Sequence, residues 1–239
     1  MLIIIIPFRA STQPERSGQL KILLECFQCY LPDAQILVIQ QGCERLFNKG
    51  ALQNIGVLLA SGQDSDSICL HDVDMLPHED LIPEYTKDLD CSTIRHISGK
   101  NNRYTVPGRK SLVGLQSRLV GGIVMIQQGA FKEVNGYAND FWGWGGEDDE
   151  LRDRLVLHGL KVETCAGGIT DLENDSLGLT RNTKLKHLKN TKQICPNKAE
   201  LRRWHRTHPS EQGLAQIDWK LLNTFEYYPN CTNYTVQIL

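Results

Sequence analysis

Leu2–Ile6 reads L-I-I-I-I and is closed by Pro7. An extended segment with an apolar residue at every position leaves no face for water, so the run predicts a strand buried on both sides. Strands of that kind belong to parallel sheets covered by helices, which makes the chain α/β. The segments after Pro7 agree with that class. A helix is predicted over Ser17–Tyr30 and a second strand over Ile36–Gln40. Leu52, Ile55, Leu58 and Leu59 suit an amphipathic helix, and Ser67–Leu70 and Lys161–Thr164 read as further strands. Open α/β sheets place their ligands beyond the carboxyl ends of the strands. Pro7-Phe8-Arg9 and His71-Asp72-Val73-Asp74 occupy such ends.

The chain has 239 residues, enough for one large α/β domain, and no Pro/Ser-rich linker divides it, so residues 1–239 are read as a single catalytic domain. A formal net charge of −2 gives no electrostatic reason to expect nucleic acid or an anionic membrane. No stretch reaches the length of a membrane span, and Met1–Ile6 lacks the features of a signal peptide. The eight cysteines are scattered. Cys26 and Cys29 form the only close pair, inside a helical pattern and without a second pair to complete a zinc site. Buried free thiols in a reducing, cytoplasmic setting are therefore expected. The sequons at Asn174, Asn230 and Asn233 matter only in a secretory pathway.

Phe141–Glu150 reads F-W-G-W-G-G-E-D-D-E. An acidic first turn explains Glu147–Glu150, because the helix dipole favours it and Leu151, Leu155 and Val156 continue at helical spacing. It does not explain W-G-W-G-G. Glycines let the backbone come close to a ligand, tryptophans offer flat apolar faces for a sugar ring, and carboxylates serve as base, acceptor or metal ligand. D-x-D at the end of a strand adds a second acidic pair. Alternation along an extended chain sends Asp72 and Asp74 to one side, where a hard cation and a diphosphate can meet them.

W-G-W-G-G-E-D-D closely resembles the signature of the β-1,4-galactosyltransferase family, inverting enzymes of the GT-A fold. The resemblance continues in I-I-P-F-R at the first strand and in F-N-K-G-A-L-Q-N-I-G at Phe47–Gly56. It continues in D-V-D-M-L-P at Asp72–Pro77, in the R-H-I-S strand at Ile94–Ser98, and in the paired Gly121 and Gly122. Leu214–Leu239 is similar to the family's closing strands, and the match is loose after Gly159. The resemblance implies a GT-A sheet, mostly parallel, and transfer of galactose or N-acetylgalactosamine from a UDP-sugar donor to a glycan acceptor, β-1,4-linked.

The resemblance also implies roles. Asp148 is the catalytic base. Pro7, Phe8, Arg9, Phe47, Lys49, Asp72, Val73, Leu119, Gly121, Gly122 and Trp144 contact the donor. Trp144, Gly145, Glu147 and Asp149 contact the acceptor. Asp74 and His187 hold Mn²⁺ or another divalent cation. Several positions depart from the family. Lys49 replaces an Arg, and Ser11 stands at a basic position for which Arg16 is the nearest substitute. Lys184 replaces a metal-binding Met, and Glu200, Leu201 and Trp204 replace the residues that line an N-acetyl pocket in vertebrate members. Leu119 replaces the Tyr of galactose-specific members, which implies room for UDP-GalNAc. Family members are usually anchored in the Golgi. Met1 directly before the first strand favours a cytoplasmic microbial or viral enzyme, with the Golgi lumen the alternative for a trimmed ectodomain. A binding module without catalysis and a glycoside hydrolase are the rival functions; the latter has no use for D-x-D.

Overall fold

The computed structural model describes residues 1–10, 15–100, 120–173 and 181–239. The Leu2–Ile6 run forms β1 (Leu2–Phe8), and its residues alternate between two cores. Ile3 and Ile5 point to α2 (Lys49–Leu59), meeting Ala51, Leu52 and Ile55. Ile4, Ile6 and Phe8 point to α1 (Glu15–Tyr30), meeting Leu20, Leu23, Leu24 and Phe27. Each of the four isoleucines is fully buried, a contribution of about 1.5–3 kcal/mol apiece. The α2 helix comes close enough that a Cβ on Gly56 would sit 2.3 Å from Ile5 Cγ2.

β1 pairs in parallel with β2 (Gln35–Gln41) on one side and β3 (Ser67–His71) on the other. Beyond β3 lie β6 (Ile123–Gln127), β5 (Thr93–His96) and β7 (Lys161–Thr164); beyond β2 lie β10 (Cys231–Ile238) and β9 (Trp219–Tyr228). The eight strands run in the order β7-β5-β6-β3-β1-β2-β10-β9. The central β3-β1-β2-β10 block is parallel throughout, and antiparallel pairings enter only at β6 and β9. A two-stranded ribbon joins β4 (Met75–Pro77) to β8 (Ile169–Asp171). Helices α3 (Ile82–Thr86), α4 (Gln128–Glu133) and α5 (Glu147–Leu157) complete the central part. The Lys/Arg-rich segment after residue 180 contains two helices, α6 (Arg181–Asn190) and α7 (Lys198–His205). Among the described residues no helix is long and apolar enough to cross a membrane.

The F-N-K-G-A-L-Q-N-I-G segment performs several structural tasks. The Asn48 side chain caps α2 by accepting from Ala51 N and donates to Asn139 O at 2.7 Å. Asn54 is fully buried; it donates to Tyr137 O and Asn139 Oδ1 and accepts from Tyr137 N. One side chain thereby fixes the turn that leads into Phe141–Glu150. The Asn233 sequon is buried in β10, which bars it from carrying a glycan in the folded chain; Asn174 lies outside the described residues.

Asn54→Ala is expected to lower stability by about 1–3 kcal/mol in urea unfolding, because both polar groups of Tyr137 lose a buried partner. A loss below about 0.5 kcal/mol, the range of an ordinary surface change, would show that the turn holds without it.

Candidate active site

The topology brings the ends of several strands to one edge of the sheet. β1 ends at Pro7-Phe8-Arg9, β2 at Gln41 and β3 at His71-Asp72. β6 runs opposite to β3, so its first residues, after Gly121-Gly122, lie at the same edge, and Asp72 N donates to Gly122 O at 2.8 Å. β5 ends there at His96.

The glycine pair is held from behind. Ser98 Oγ donates to Gly121 O and accepts from Ile123 N, and His96 Nε2 lies 2.8 Å from the same carbonyl. His71 bridges Asp72 O and the Tyr85 hydroxyl; burial pulls its pKa down to about 4, so the ring is neutral at physiological pH. Both histidines support the backbone here.

The four adjacent carboxylates divide their work. Glu150 turns inward, accepts from Arg154 Nε at 2.5 Å, and is buried with it. Asp149 is partly exposed and faces Arg202 Nη1 at 3.5 Å. Glu147 and Asp148 turn toward the strand ends and meet Lys49 at the start of α2. Lys49 Nζ lies 2.8 Å from Asp148 Oδ1, 3.3 Å from Asp72 Oδ1 and 3.7 Å from Glu147 Oε1. Burial opposes the Lys49 charge, but Asp148, Asp72 and Glu147 outweigh it and hold its pKa well above the ordinary value. Burial lifts Asp148 to about 8; Lys49 pulls it down, while Glu147 and Asp72 push it up. Glu147 is raised mainly by burial, and its Oε2 is buried with no hydrogen-bond partner among the described residues.

The glycines explain how the carboxylates fit. A Cβ on Gly121 would stand 2.3 Å from Asp148 Oδ2. Gly143, Gly145 and Gly146 have φ of +98°, +95° and +107°, a region that disfavours side chains. This path lets Gly143 N donate to Phe47 O and Trp144 N to Gln193 O. It leaves the Trp144 indole 40% exposed, with Lys198 Nζ 5.3 Å from its ring centre. Trp142 packs against the core beneath Arg45. At the end of β1, Arg9 lies over the Phe47 ring at 5.6 Å and donates to Arg45 O; Pro7, Phe8 and Val73 are buried.

Asp74 belongs to a second acidic group. The D-x-D segment is a turn, closed by Met75 N donating to Asp72 O at 3.3 Å, so its carboxylates serve different cations: Asp72 meets Lys49 and Asp74 meets Arg16. The β4–β8 ribbon sets Met75 opposite Asp171. Carboxylate oxygens of Asp74, Asp171 and Glu173 then lie within 4.8 Å of one another. The Arg16 guanidinium reaches Asp74 at 3.1 Å and Glu173 at 3.3 Å. His187 lies exposed on α6 and is not a member of this group. Leu119 lies outside the described residues. Sequence reasoning missed Asp171 and Glu173. D-L-E at 171–173 repeats the one-residue spacing of D-x-D at the end of a strand, and that repeat was the available signal.

An acidic site with a D-x-D turn at the carboxyl ends of a largely parallel sheet defines a GT-A glycosyltransferase fold. Residues 1–86 match the family model described as the N-terminal region of glycosyl transferase group 7. Residues 114–175 match the model described as the N-terminal domain of galactosyltransferase. β-1,4-Galactosyltransferase 4 of Cricetulus griseus is 30% identical over 98% of this chain and 62% of its own length. β-1,4-Galactosyltransferase 7 of Drosophila melanogaster is 34% identical over 80% of this chain and 54% of its own. The chain thus spans about half the length of the curated relatives it matches. The Drosophila β-1,4-galactosyltransferase 7 catalytic domain, solved with xylobiose, superposes with a TM-score of 0.74 at 26% identity, covering 99% of this chain and 93% of that one. A mutant of the same Drosophila enzyme, solved with manganese, UDP-Gal and xylobiose, matches equally well. The chain belongs to the β-1,4-galactosyltransferase family.

Gly121→Ala is expected to push the Asp148 carboxylate off its seat by about 1 Å, since a Cβ contact below about 3 Å cannot persist in a close-packed site. A crystal structure of the variant with Asp148 unmoved would show that the glycine is not required by that contact.

Proposed function

We propose that the chain transfers galactose or N-acetylgalactosamine from a UDP-sugar to a sugar hydroxyl, with inversion and in β-1,4 linkage. The observation that carries this reading is the Lys49-centred group, which places a tunable carboxylate, Asp148, beside the D-x-D turn at the strand ends. The family and the Drosophila enzyme bound to manganese, UDP-Gal and xylobiose support it.

The chemistry needs one carboxylate to take the acceptor's proton as its oxygen attacks the anomeric carbon from the face opposite UDP. Asp148 fills that role. Arg9 over Phe47, together with Pro7, Phe8 and Val73, seats the nucleotide, and Asp72 orients it. Trp144 offers its exposed face to a sugar ring beside Gly145, and Glu147 and Asp149 accept from sugar hydroxyls. A divalent cation, Mn²⁺, fits Asp74, Asp171 and Glu173: all three offer hard oxygen donors, and Arg16 shows that the place accepts positive charge. Bound there, the ion would stabilise the departing diphosphate. His187 stands outside that set. Galactose and N-acetylgalactosamine are separated by a donor competition, in which use of UDP-Gal alone removes the wider reading. All eight cysteines are unpaired, which supports a reducing, cytoplasmic setting over the Golgi lumen; cell fractionation decides.

The test of function is a donor-by-acceptor array with Mn²⁺, read as UDP release. No transfer with any pair, with UDP-sugar still bound, would favour the non-catalytic module. Asp148→Asn is expected to cut kcat by about 10²–10⁴, the usual share of general-base catalysis, with donor affinity unchanged. The sign of the pH dependence follows from the raised pKa. Asp148 is protonated and idle below about 8 and competent above it, so kcat/KM rises with pH through that region. A variant within about threefold of wild type, judged against that range, removes Asp148 from the role.

The metal assignment has its own test. Titration calorimetry with Mn²⁺ should show Glu173→Gln and Asp171→Asn each weakening binding by about tenfold or more, because affinity follows the ligand charge count. His187→Ala should leave it unchanged. The reverse pattern would return the metal to His187.

A further inference from the structure

Lys49 is the one cation that reaches Glu147, Asp148 and Asp72 together among the described ion pairs. An ammonium is a point charge with three donors, and here only the Asp148 contact has hydrogen-bond geometry. Three carboxylates around one cation leave an excess of negative charge in a site largely closed to water. In such a site the carboxylates cannot all ionise at their ordinary pKa values. Asp72 belongs to the donor side, at the end of β3, and Asp148 to the acceptor side, at the start of α5. Lys49 sits between the two halves of the reaction, held by the Asn48-capped start of α2.

We propose that Lys49 is a positioning residue that couples donor binding to the readiness of the base: its ammonium is shared by Asp72 and Asp148 in the free chain, and engagement of Asp72 by the donor leaves that charge to Asp148. The inference rests on Asp148 as the base. It requires no covalent step by Lys49, which only holds a carboxylate ionised and in place. Among the described residues, the charged and titratable groups facing Asp148 are Lys49 from α2, Asp72 from the end of β3, Glu147 on its own helix and the buried Tyr137 phenol. Gly121 presents only backbone, backed by His96. Of these, Lys49 alone is positive and within hydrogen-bond reach.

The first experiment does not depend on activity. Side-chain ¹³C NMR of aspartate-labelled chain, with the Asp148 signal assigned by its loss in Asp148→Asn, follows that carboxyl through pH in the metal-free protein. Lys49→Gln should raise the Asp148 midpoint by about 1–3 pH units, the usual effect of one adjacent opposite charge. Lys49→Arg should restore it to within about 0.5 unit of wild type, half the low end of that effect. Asp72→Asn keeps the cation and removes its competitor, so it should move the midpoint down; it also remains informative if Lys49→Gln does not fold. The second experiment compares pH profiles. In wild type the acidic limb of kcat, measured with donor bound, should lie below that of kcat/KM, and Lys49→Gln should close the gap. A midpoint unmoved in Lys49→Gln, raised in Asp72→Asn, or displaced as far in Lys49→Arg as in Lys49→Gln overturns the proposal. Equal limbs in wild type do the same. An absence of transfer in every protein, with the NMR shifts as expected, instead overturns the transferase reading and leaves the Lys49–Asp148 coupling standing.

Discussion

The site depends on the parallel pairing of β1 with β2 and β3. Because the three strands run the same way, their last residues arrive together: Phe8-Arg9, Gln41 and His71-Asp72. An antiparallel neighbour would have sent one of these groups to the far edge. The pairing is fixed in turn by burial on both faces. A slip of one residue in β1 would exchange Ile3 and Ile5 with Ile4 and Ile6, and each set already fits a different helix. Hydrophobic register therefore positions polar chemistry that shares no atoms with it.

Around that edge the chain concentrates carboxylates and divides them among cations by depth. Arg154 takes Glu150 inside the core, Lys49 takes the carboxylates at the strand ends, and Arg202 takes Asp149 and Asp153 near the surface. Sequence neighbours thus acquire unlike properties. Glu150 and Asp149 adjoin Glu147 and Asp148 in the chain, yet one is a buried structural anion and the other is a partly exposed acceptor. Environment sets the role, as it does wherever two carboxylates must behave differently in one site.

The β1 strand, the α2 helix, the acidic start of α5 and the glycine pair were legible in the sequence because each is local: an apolar run, a periodicity, a dense motif. D-x-D was legible as a site and misread as extended backbone, since the turn at Asp72–Met75 depends on β4 leaving the sheet to pair with β8. Asp171 and Glu173 carried only the faint signal of the repeated D-x-D spacing, which does not name their partner. Their meeting with Asp74 is made by a three-residue ribbon between distant segments, a pairing that no local spacing encodes. His187 drew notice through a loose match beyond Gly159, where few motifs pin the register; the structure puts it on an exposed helix face. The tasks of Asn54 and of Gly121 are packing constraints across the fold, visible only once the partners, Tyr137 and Asp148, are in place.

Arg16 gives the molecule an order of events. Buried carboxylates without a counter-charge strongly oppose folding. With its guanidinium set between Asp74 and Glu173, the chain carries its own neutralising group to that place while it folds. Neutralisation of this acidic group during folding therefore does not wait for an added ion, unlike small metallo-domains whose folding does. A cation taken up by the Asp74, Asp171 and Glu173 group proposed above would have to compete with this arginine for the same oxygens. An arginine displaced in that way would remain tethered to the first turn of α1, so its charge would stay beside the strand ends.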